Sequence, residues 1–267
     1  MSAPTGELKI ISRHGVGYDA VDVAALNHRG IALTVCGDVN SGTVAEHAAM
    51  MILAACKRVL RADASVRRGP WEWRNKLEAR DANGQNLLLV GYGRIGRKTG
   101  EMMRAFGMNV RAYDPYLLTR NWPETGVPAV SSLDEGLAWA DVLSFCLPHT
   151  GKPLIGAAEI AKMRDGVVLV NTSRGGIIDE EAMVAALQSG KIGAASLDVF
   201  QQEPLLHSHP LAGFDQVLLS PHIGGLTQDA AERMAISSAE NILNYFNSTI
   251  DPALIVNRDH IHVELQT

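Results

Sequence analysis

Apolar residues along this 267-residue chain come in two rhythms. Short apolar runs bounded by turn residues read as strands buried on both faces, and apolar positions recurring every three to four residues read as amphipathic helices. The runs at 8–12, 31–35, 87–90, 142–146, 167–171, 194–198 and 217–220, and one closing on Asp114, predict strands. Helical spacing predicts helices over 21–28, about 43–67, the stretch after Gly96, a short one after Ser132, 157–163, 180–189 and a last one capped by Thr227 and reaching Phe246. Gly30, Gly69-Pro70 and Gly190 are stop signals. Thr43-Val44-Ala45-Glu46 and Ser132-Leu133-Asp134-Glu135 resemble capping boxes. Residues 71–85 are polar and without period, which predicts a surface crossing between two domains. Residues 116–128 read as irregular, and 248–267 as a tail packing back on the surface. Strand alternating with helix through the middle of the chain predicts an α/β protein with a doubly wound parallel sheet.

Composition narrows the function classes. Apolar content of 46%, charged content of 20% and a net charge of −5 fit a globular chain and argue against a nucleic-acid partner. Arg58, Arg61, Arg67 and Arg68 read as a solvated helix face. No apolar run approaches the ~18 residues of a membrane span, and residues 1–15 lack a signal-peptide pattern. Cys36, Cys56 and Cys146 are far apart and in apolar settings, so they read as reduced core thiols of a cytoplasmic protein, with no metal site.

The chemistry collects where strands end. The run 87–90 passes into Gly91-Tyr92-Gly93-Arg94-Ile95-Gly96, a G-x-G-x-x-G with a helix after it and Asp114 at the end of the next strand. That order predicts a dinucleotide site. Gly91 makes the tight turn, Gly93 lets backbone approach a pyrophosphate, and Gly96 lets helix pack on strand. The N–H groups at the helix start, from Arg94 and Ile95 onward, then face phosphate. Arg174 follows strand 167–171, Glu203 follows 194–198 and His222 follows 217–220, and in an open α/β sheet these ends share one rim. Arginine can clamp a carboxylate, histidine can trade a proton near neutrality, and a carboxylate beside it favours the imidazolium. Each also has a plainer reading: a surface ion pair for Arg174, a turn before Pro204 for Glu203, a structural hydrogen bond for His222. His47, inside a helix, reads as a satisfied core histidine. Residues 13–19, Gly-rich after a strand, could turn backbone N–H groups toward an anion.

Together, Gly91–Gly96, the 171–179 stretch Asn-Thr-Ser-Arg-Gly-Gly-Ile-Ile-Asp, the 197–205 stretch Leu-Asp-Val-Phe-Gln-Gln-Glu-Pro-Leu, and Ser220-Pro221-His222-Ile223-Gly224-Gly225 resemble the D-isomer-specific 2-hydroxyacid dehydrogenase family. His14-Gly15-Val16-Gly17-Tyr18-Asp19 and Val44-Ala45-Glu46-His47 fit it too. The resemblance implies a Rossmann domain (68–226) that binds NAD, inserted in a smaller flavodoxin-like α/β substrate domain (1–67 and 227–267). It implies an oxidoreductase, phosphoglycerate dehydrogenase-like, interconverting a small 2-oxo acid and a D-2-hydroxy acid, and usually a homodimer. Arg174 would hold the substrate carboxylate and carbonyl, His222 would be the acid/base and Glu203 would orient and charge it. Asp198 would contact the nicotinamide carboxamide. Thr43, Leu147, Pro148, Thr172 and Ser173 would complete the cofactor site, and Val16 and Gly17 N–H groups would receive the substrate carboxylate. Asp114 would bond the adenosine ribose and favour NAD over NADP. An NAD-sensing binding protein, or a catalytically impaired remnant of the same fold, is the alternative that keeps the same residues.

The chain departs from the family pattern at its start. About two βα units, on the order of 60 residues, are expected before strand 8–12. Their lack predicts an N-terminally truncated substrate domain whose first strand is short of a sheet neighbour. Arg13 stands where phosphoglycerate dehydrogenases carry an arginine. It reads either as a phosphate ligand or as a surface arginine without a substrate role. Glu203, where formate dehydrogenases of the superfamily carry Gln, argues against formate oxidation.

Overall fold

The computed structural model describes residues 8–261. In chain order its elements are β1 (Ile10–Ser12), α1 (Val23–His28), β2 (Ala32–Thr34), α2 (Ser41–Lys57), α3 (Val59–Arg68), β3 (Asn86–Val90), α4 (Arg94–Ala105), β4 (Asn109–Tyr113), α5 (Pro115–Leu118) and α6 (Leu133–Trp139). There follow β5 (Val142–Phe145), α7 (Ala157–Lys162), β6 (Val167–Asn171), α8 (Glu180–Ser189), β7 (Ile192–Leu197), β8 (Val217–Leu219) and α9 (Gln228–Phe246). The chain divides into two units, one of residues 42–225 and the other of 1–41 with 226–267, so the first is inserted in the second.

The inserted unit holds the expected doubly wound sheet: six parallel strands in the order β4-β3-β5-β6-β7-β8. Side chains alternate across a strand, so an all-apolar run must be covered on both faces. Leu88 and Val90 of β3 enter one core, with Phe145, Leu169, Leu137, Ile160 and Met183. Leu87 and Leu89 enter the other, with Val168, Val170, Met51, Ile52 and Met103. Burying each such side chain contributes about 1.5–3 kcal/mol, so the strand ends that carry the polar residues are held by well-packed cores. The strand order reverses at β3, whose neighbours β4 and β5 lie on opposite sides. A ligand crevice opens beyond the carboxyl ends at such a point.

The second unit is slighter. Parallel strands β1 and β2 pair from Ile10↔Ala32 to Ser12↔Thr34, and among the described residues β1 has no other strand partner. Leu26, Ile31 and Leu33 form one small core, and Cys36, Ala230 and Met234 another under α9.

Several expectations are corrected. The helix over 43–67 is two helices, broken at Arg58, whose backbone is left-handed with φ +53°. Arg80 N–H donates to the Cys56 carbonyl there, replacing a ladder bond. The helix starts at Ser41, so the Thr43–Glu46 box does not cap it. Arg58 is not on a solvated face: its Nη1 is buried, and burial, then the charge of Arg61, push its pKa down. The domain boundary lies at 41/42 rather than 67/68, and at 225/226, because the buried face of α2 packs into the sheet's second core. Residues 71–85 therefore run within one unit, partly as a 3-10 turn, and do not cross between two. Asp114 caps α5 inside the stretch expected to be irregular. Ser132 does cap α6, but Glu135 accepts from Ser131 instead of closing the box. The tail after α9 is not merely superficial. Ile250 and Ile255 are buried, Val256 N–H donates to Leu33 O, and the Asn257 side chain bonds Leu33 N and Ile31 O. Residues 262–267 of that tail lie outside the described residues.

Candidate active site

The Gly-rich turn is built as its sequence requires. Gly91 has φ +94°, and a Cβ there would sit 2.5 Å from the Cys146 carbonyl oxygen and 3.1 Å from Leu147 Cβ. A Cβ on Gly96 would sit 2.5 Å from the Gly91 carbonyl oxygen. Gly93, the N-cap of α4, is different: a Cβ there would meet nothing within 4 Å. Two glycines are thus demanded by packing and the third keeps clear the space in front of the helix N-terminus. That space, with N–H groups of Arg94 and Ile95 at its floor, fits a pyrophosphate. The Asp114 carboxylate takes Tyr92 N–H at 2.9 Å on one oxygen and the N–H groups of Tyr116 and Leu117, at 3.0 and 3.1 Å, on the other. It is therefore fixed at the β4 end beside the turn. Leu147 and Pro148 follow β5, and Leu147 lies against Gly91. Thr172, at the β6 end, is buried with its hydroxyl lacking a partner among the described residues. Such an orphaned hydroxyl fits a polar ligand group. Cys146 lines the same turn as an inert thiol, pushed by burial up to about 12.

On the neighbouring strand ends the three expected groups come onto one rim. The Asn171 side chain donates to Arg174 O and accepts from Ser173 N–H and hydroxyl, folding the loop after β6. Arg174 is half-buried, with Nη1 donating to Ser173 O. The next residue must be Gly175, since a Cβ there would lie 1.7 Å from the Phe200 carbonyl oxygen. The Arg174 loop is thereby pressed on the segment leading to Glu203. Glu203 Oε1 accepts Phe200 N–H, and its Oε2 lies 2.8 Å from His222 Nδ1. With Nδ1 donating to the carboxylate, Nε2 is the ring nitrogen available for proton exchange. A cavity of about 590 Å³ opens beside this pair, walled by Phe200, Pro204, Leu205, Leu219 and Pro221.

Asp198 is less open than its predicted cofactor contact suggests. It is 1% exposed. Its oxygens take Ser220 hydroxyl at 2.5 Å, Ile223 N–H at 2.9 Å and Gly224 N–H at 2.8 Å, while its carbonyl takes His222 N–H. Burial opposes its ionisation, but hydrogen bonds from His47, Ser220, Ile223 and Gly224 outweigh burial and hold the carboxyl below its usual value. These bonds fix His222 at φ +55°, a conformation costing roughly 1–2 kcal/mol for a residue with a Cβ.

Thr43 is buried in the first turn of α2. Arg13, Val16 and Gly17 lie in the other unit, in the loop after β1. Among the described residues the N–H groups of Val16 and Gly17 have no acceptor, as anion reception requires. Arg13 folds back on this loop, Nε donating to Gly17 O at 2.5 Å. The loop rests on Cys36, whose thiol donates to Arg13 O and accepts from Gly15 N–H. Sequence reasoning passed over Asn171, Ser220 and the engagement of His47. A polar residue ending an all-apolar strand was the available signal for Asn171.

The family described as "D-isomer specific 2-hydroxyacid dehydrogenase, NAD binding domain" matches residues 49–224. The chain is 39% identical over 239 residues to a D-3-phosphoglycerate dehydrogenase of Archaeoglobus fulgidus, covering 89% of this chain and 45% of that one. It is 38% identical over 264 residues to a glyoxylate reductase of Thermofilum pendens, covering 96% of this chain and 77% of that one. The chain thus spans under half of the first relative and about three quarters of the second. Among solved structures it is similar to the TT0316 protein from Thermus thermophilus, with a TM-score of 0.84 and 36% identity, covering 93% of this chain and 79% of that one.

Proposed function

The chain belongs to the D-isomer specific 2-hydroxyacid dehydrogenase family and carries that family's NAD binding domain, and on this premise we propose that it reduces a small 2-oxo acid to a D-2-hydroxy acid, reversibly. The observation that carries this reading is the Glu203–His222 contact of 2.8 Å on the same sheet rim as the Gly91–Gly96 cradle. The N–H groups of Arg94 and Ile95, with the open space over Gly93 and the neighbouring Leu147, Pro148, Thr172 and Ser173, would hold NAD, which would supply the hydride. Asp114 receives the ribose hydroxyls and disfavours a 2′-phosphate by like charge, so NAD is used in preference to NADP. Arg174 holds the substrate carboxylate and steadies negative charge developing on the carbonyl oxygen. Imidazolium His222 gives a proton from Nε2 to that oxygen. Glu203 keeps the ring oriented through its contact with Nδ1. In the oxidative direction neutral His222 takes the proton back.

The 590 Å³ cavity is walled mostly by apolar side chains. This supports small acids of the glyoxylate and hydroxypyruvate kind over a phosphorylated one. The phosphoglycerate reading rests on Arg13 and on the likeness to a D-3-phosphoglycerate dehydrogenase. No helix among the described residues is long and apolar enough to cross a membrane. We place the protein in the cytoplasm as a homodimer. Supporting the dimer are exposed Val59, Leu60 and Val66 on α3 and Trp71 just after it. Initial rates of NADH and NADPH oxidation with glyoxylate, hydroxypyruvate, pyruvate and 3-phosphohydroxypyruvate test the assignment. NADH-dependent turnover of at least one is expected. NADH binding with no turnover of any would refute it.

A further inference from the structure

His47 sits where one helix turn and two strand residues come into step. The Ser196 hydroxyl of β7 donates to the Met51 carbonyl of α2 at 3.2 Å. From Met51 back to His47 is four helical residues, about 6 Å. From Ser196 on to Asp198 is two strand residues, about 6.6 Å. The match brings His47 to the Asp198 end of β7, with Nε2 3.2 Å from Ser220 Oγ and 3.5 Å from Asp198 Oδ1.

Hydrogen-bond bookkeeping fixes the direction of this chain. Ser220 has one hydroxyl hydrogen, and at 2.5 Å it goes to the Asp198 carboxylate, which has only acceptors to offer. Ser220 Oγ can then only accept from His47, so His47 Nε2 carries a hydrogen. His47 N–H donates to Ser220 Oγ, Ser220 O–H donates to Asp198, and the Asp198 carboxylate also accepts the N–H groups of Ile223 and Gly224. Gly224 closes the arrangement. A Cβ there would lie 2.9 Å from Asp198 Oδ2 and 3.3 Å from His47 Cδ2. The far end of the chain is the turn whose first residue, His222, is held in a left-handed conformation.

We propose that His47 and Ser220 are positioning residues, which hold the Asp198 carboxylate in the orientation that keeps His222 left-handed at the head of the 222–224 turn and its ring against Glu203. This rests on the reading of His222 as the acid/base. Each acts through the Asp198 carboxylate on the N–H groups of Ile223 and Gly224, which follow His222. A histidine at position 47 therefore does more than fill the core: its Nε2 donor anchors the outer end of the relay.

The test compares His47→Leu, which removes the donor at similar bulk, with His47→Gln, whose amide can donate to Ser220, and with Ser220→Ala. Three readings are taken on each: thermal stability, kcat against KM for the 2-oxo acid, and the proton NMR signal of the His222 Nδ1–H in the cofactor-free protein, assigned with His222→Gln. The expected result is a roughly tenfold fall in kcat for His47→Leu and Ser220→Ala with KM for the 2-oxo acid little changed. The Nδ1–H signal should broaden or vanish in both, and His47→Gln should restore kcat and signal. The proposal is overturned if His47→Leu keeps the wild-type signal and kcat, or if His47→Gln matches wild type in stability yet fails to restore them. A wild-type protein that turns over no 2-oxo acid would refute the functional reading instead, and the NMR signal would still decide the positioning role.

Discussion

Two loops of this chain face the same kind of task with opposite means. The 220–224 turn is held by two carboxylates: Asp198 takes the backbone and Glu203 the imidazole. The 13–17 loop of the other unit is held by the Cys36 thiol and by Arg13 folded on Gly17, and it leaves two N–H groups without an acceptor among the described residues. Ionised acceptors make short, strong, directional bonds, whereas a thiol is a weak donor. In the proposed scheme proton transfer needs the ring nitrogen held at one distance, so the stiff support belongs there. A loop proposed to receive an anion needs N–H groups that are still unspent, so the lighter support would suffice.

Breaking the stiff loop should cost most. His222→Gln keeps the shape and removes the proton donor. We expect kcat to fall by about 10²–10⁴ with NADH affinity unchanged, measured by steady-state rates and cofactor titration. An activity within threefold of wild type would remove His222 from its role. Gly175→Ala should come next, because a methyl group 1.7 Å from the Phe200 carbonyl forces the Arg174 loop away from the Glu203 segment. Stability should drop by about 1–3 kcal/mol or more, with activity lost in parallel, read by denaturant unfolding.

The glycines of the cofactor turn sharpen the contrast between packing and binding. Gly96→Ala meets the Gly91 carbonyl at 2.5 Å and should lower the melting temperature of the cofactor-free protein. Gly93→Ala meets nothing within 4 Å and should leave that temperature alone while weakening NAD binding roughly tenfold or more. Equal thermal effects of the two would deny that the space over Gly93 is a ligand cradle. Smaller still is the pH effect of Asp198. Its carboxyl lies below the usual value of 3.8, so its stabilising contribution is complete above that pH and fades as pH falls through the native value. Asp198→Asn should therefore be less stable than wild type at neutral pH, with the gap closing in acid. The gentlest change is Arg13→Gln in the lightly held loop. A rise of a few fold in KM for a phosphorylated substrate alone would mark Arg13 as a phosphate ligand. No change for any acid would leave it supporting only its own loop.

Much of the sheet was legible because its strands are all-apolar runs with sharp punctuation. β6 and α8 fall at the expected residues, since Asp179 caps α8 and left-handed Gly190 ends it. The break at Arg58 was not legible, because helical spacing continues through it and the turn depends on contacts made across the fold, such as that of Arg80 with Cys56. The G-x-G-x-x-G turn and the Arg174, Glu203 and His222 positions were readable from their place after strands. His47 was not, since Ser220 is 173 residues away and nothing local marks the pairing.

The most direct test of the hydride-transfer account uses NADH carrying deuterium at C4 of the nicotinamide. The 2-hydroxy acid formed from glyoxylate, hydroxypyruvate or pyruvate is then analysed for label and configuration. The account predicts deuterium on C2 of the product, the D isomer wherever C2 is a stereocentre, and loss of the labelled product with His222→Gln. NADH that binds tightly while every 2-oxo acid returns unreduced and unlabelled would contradict it.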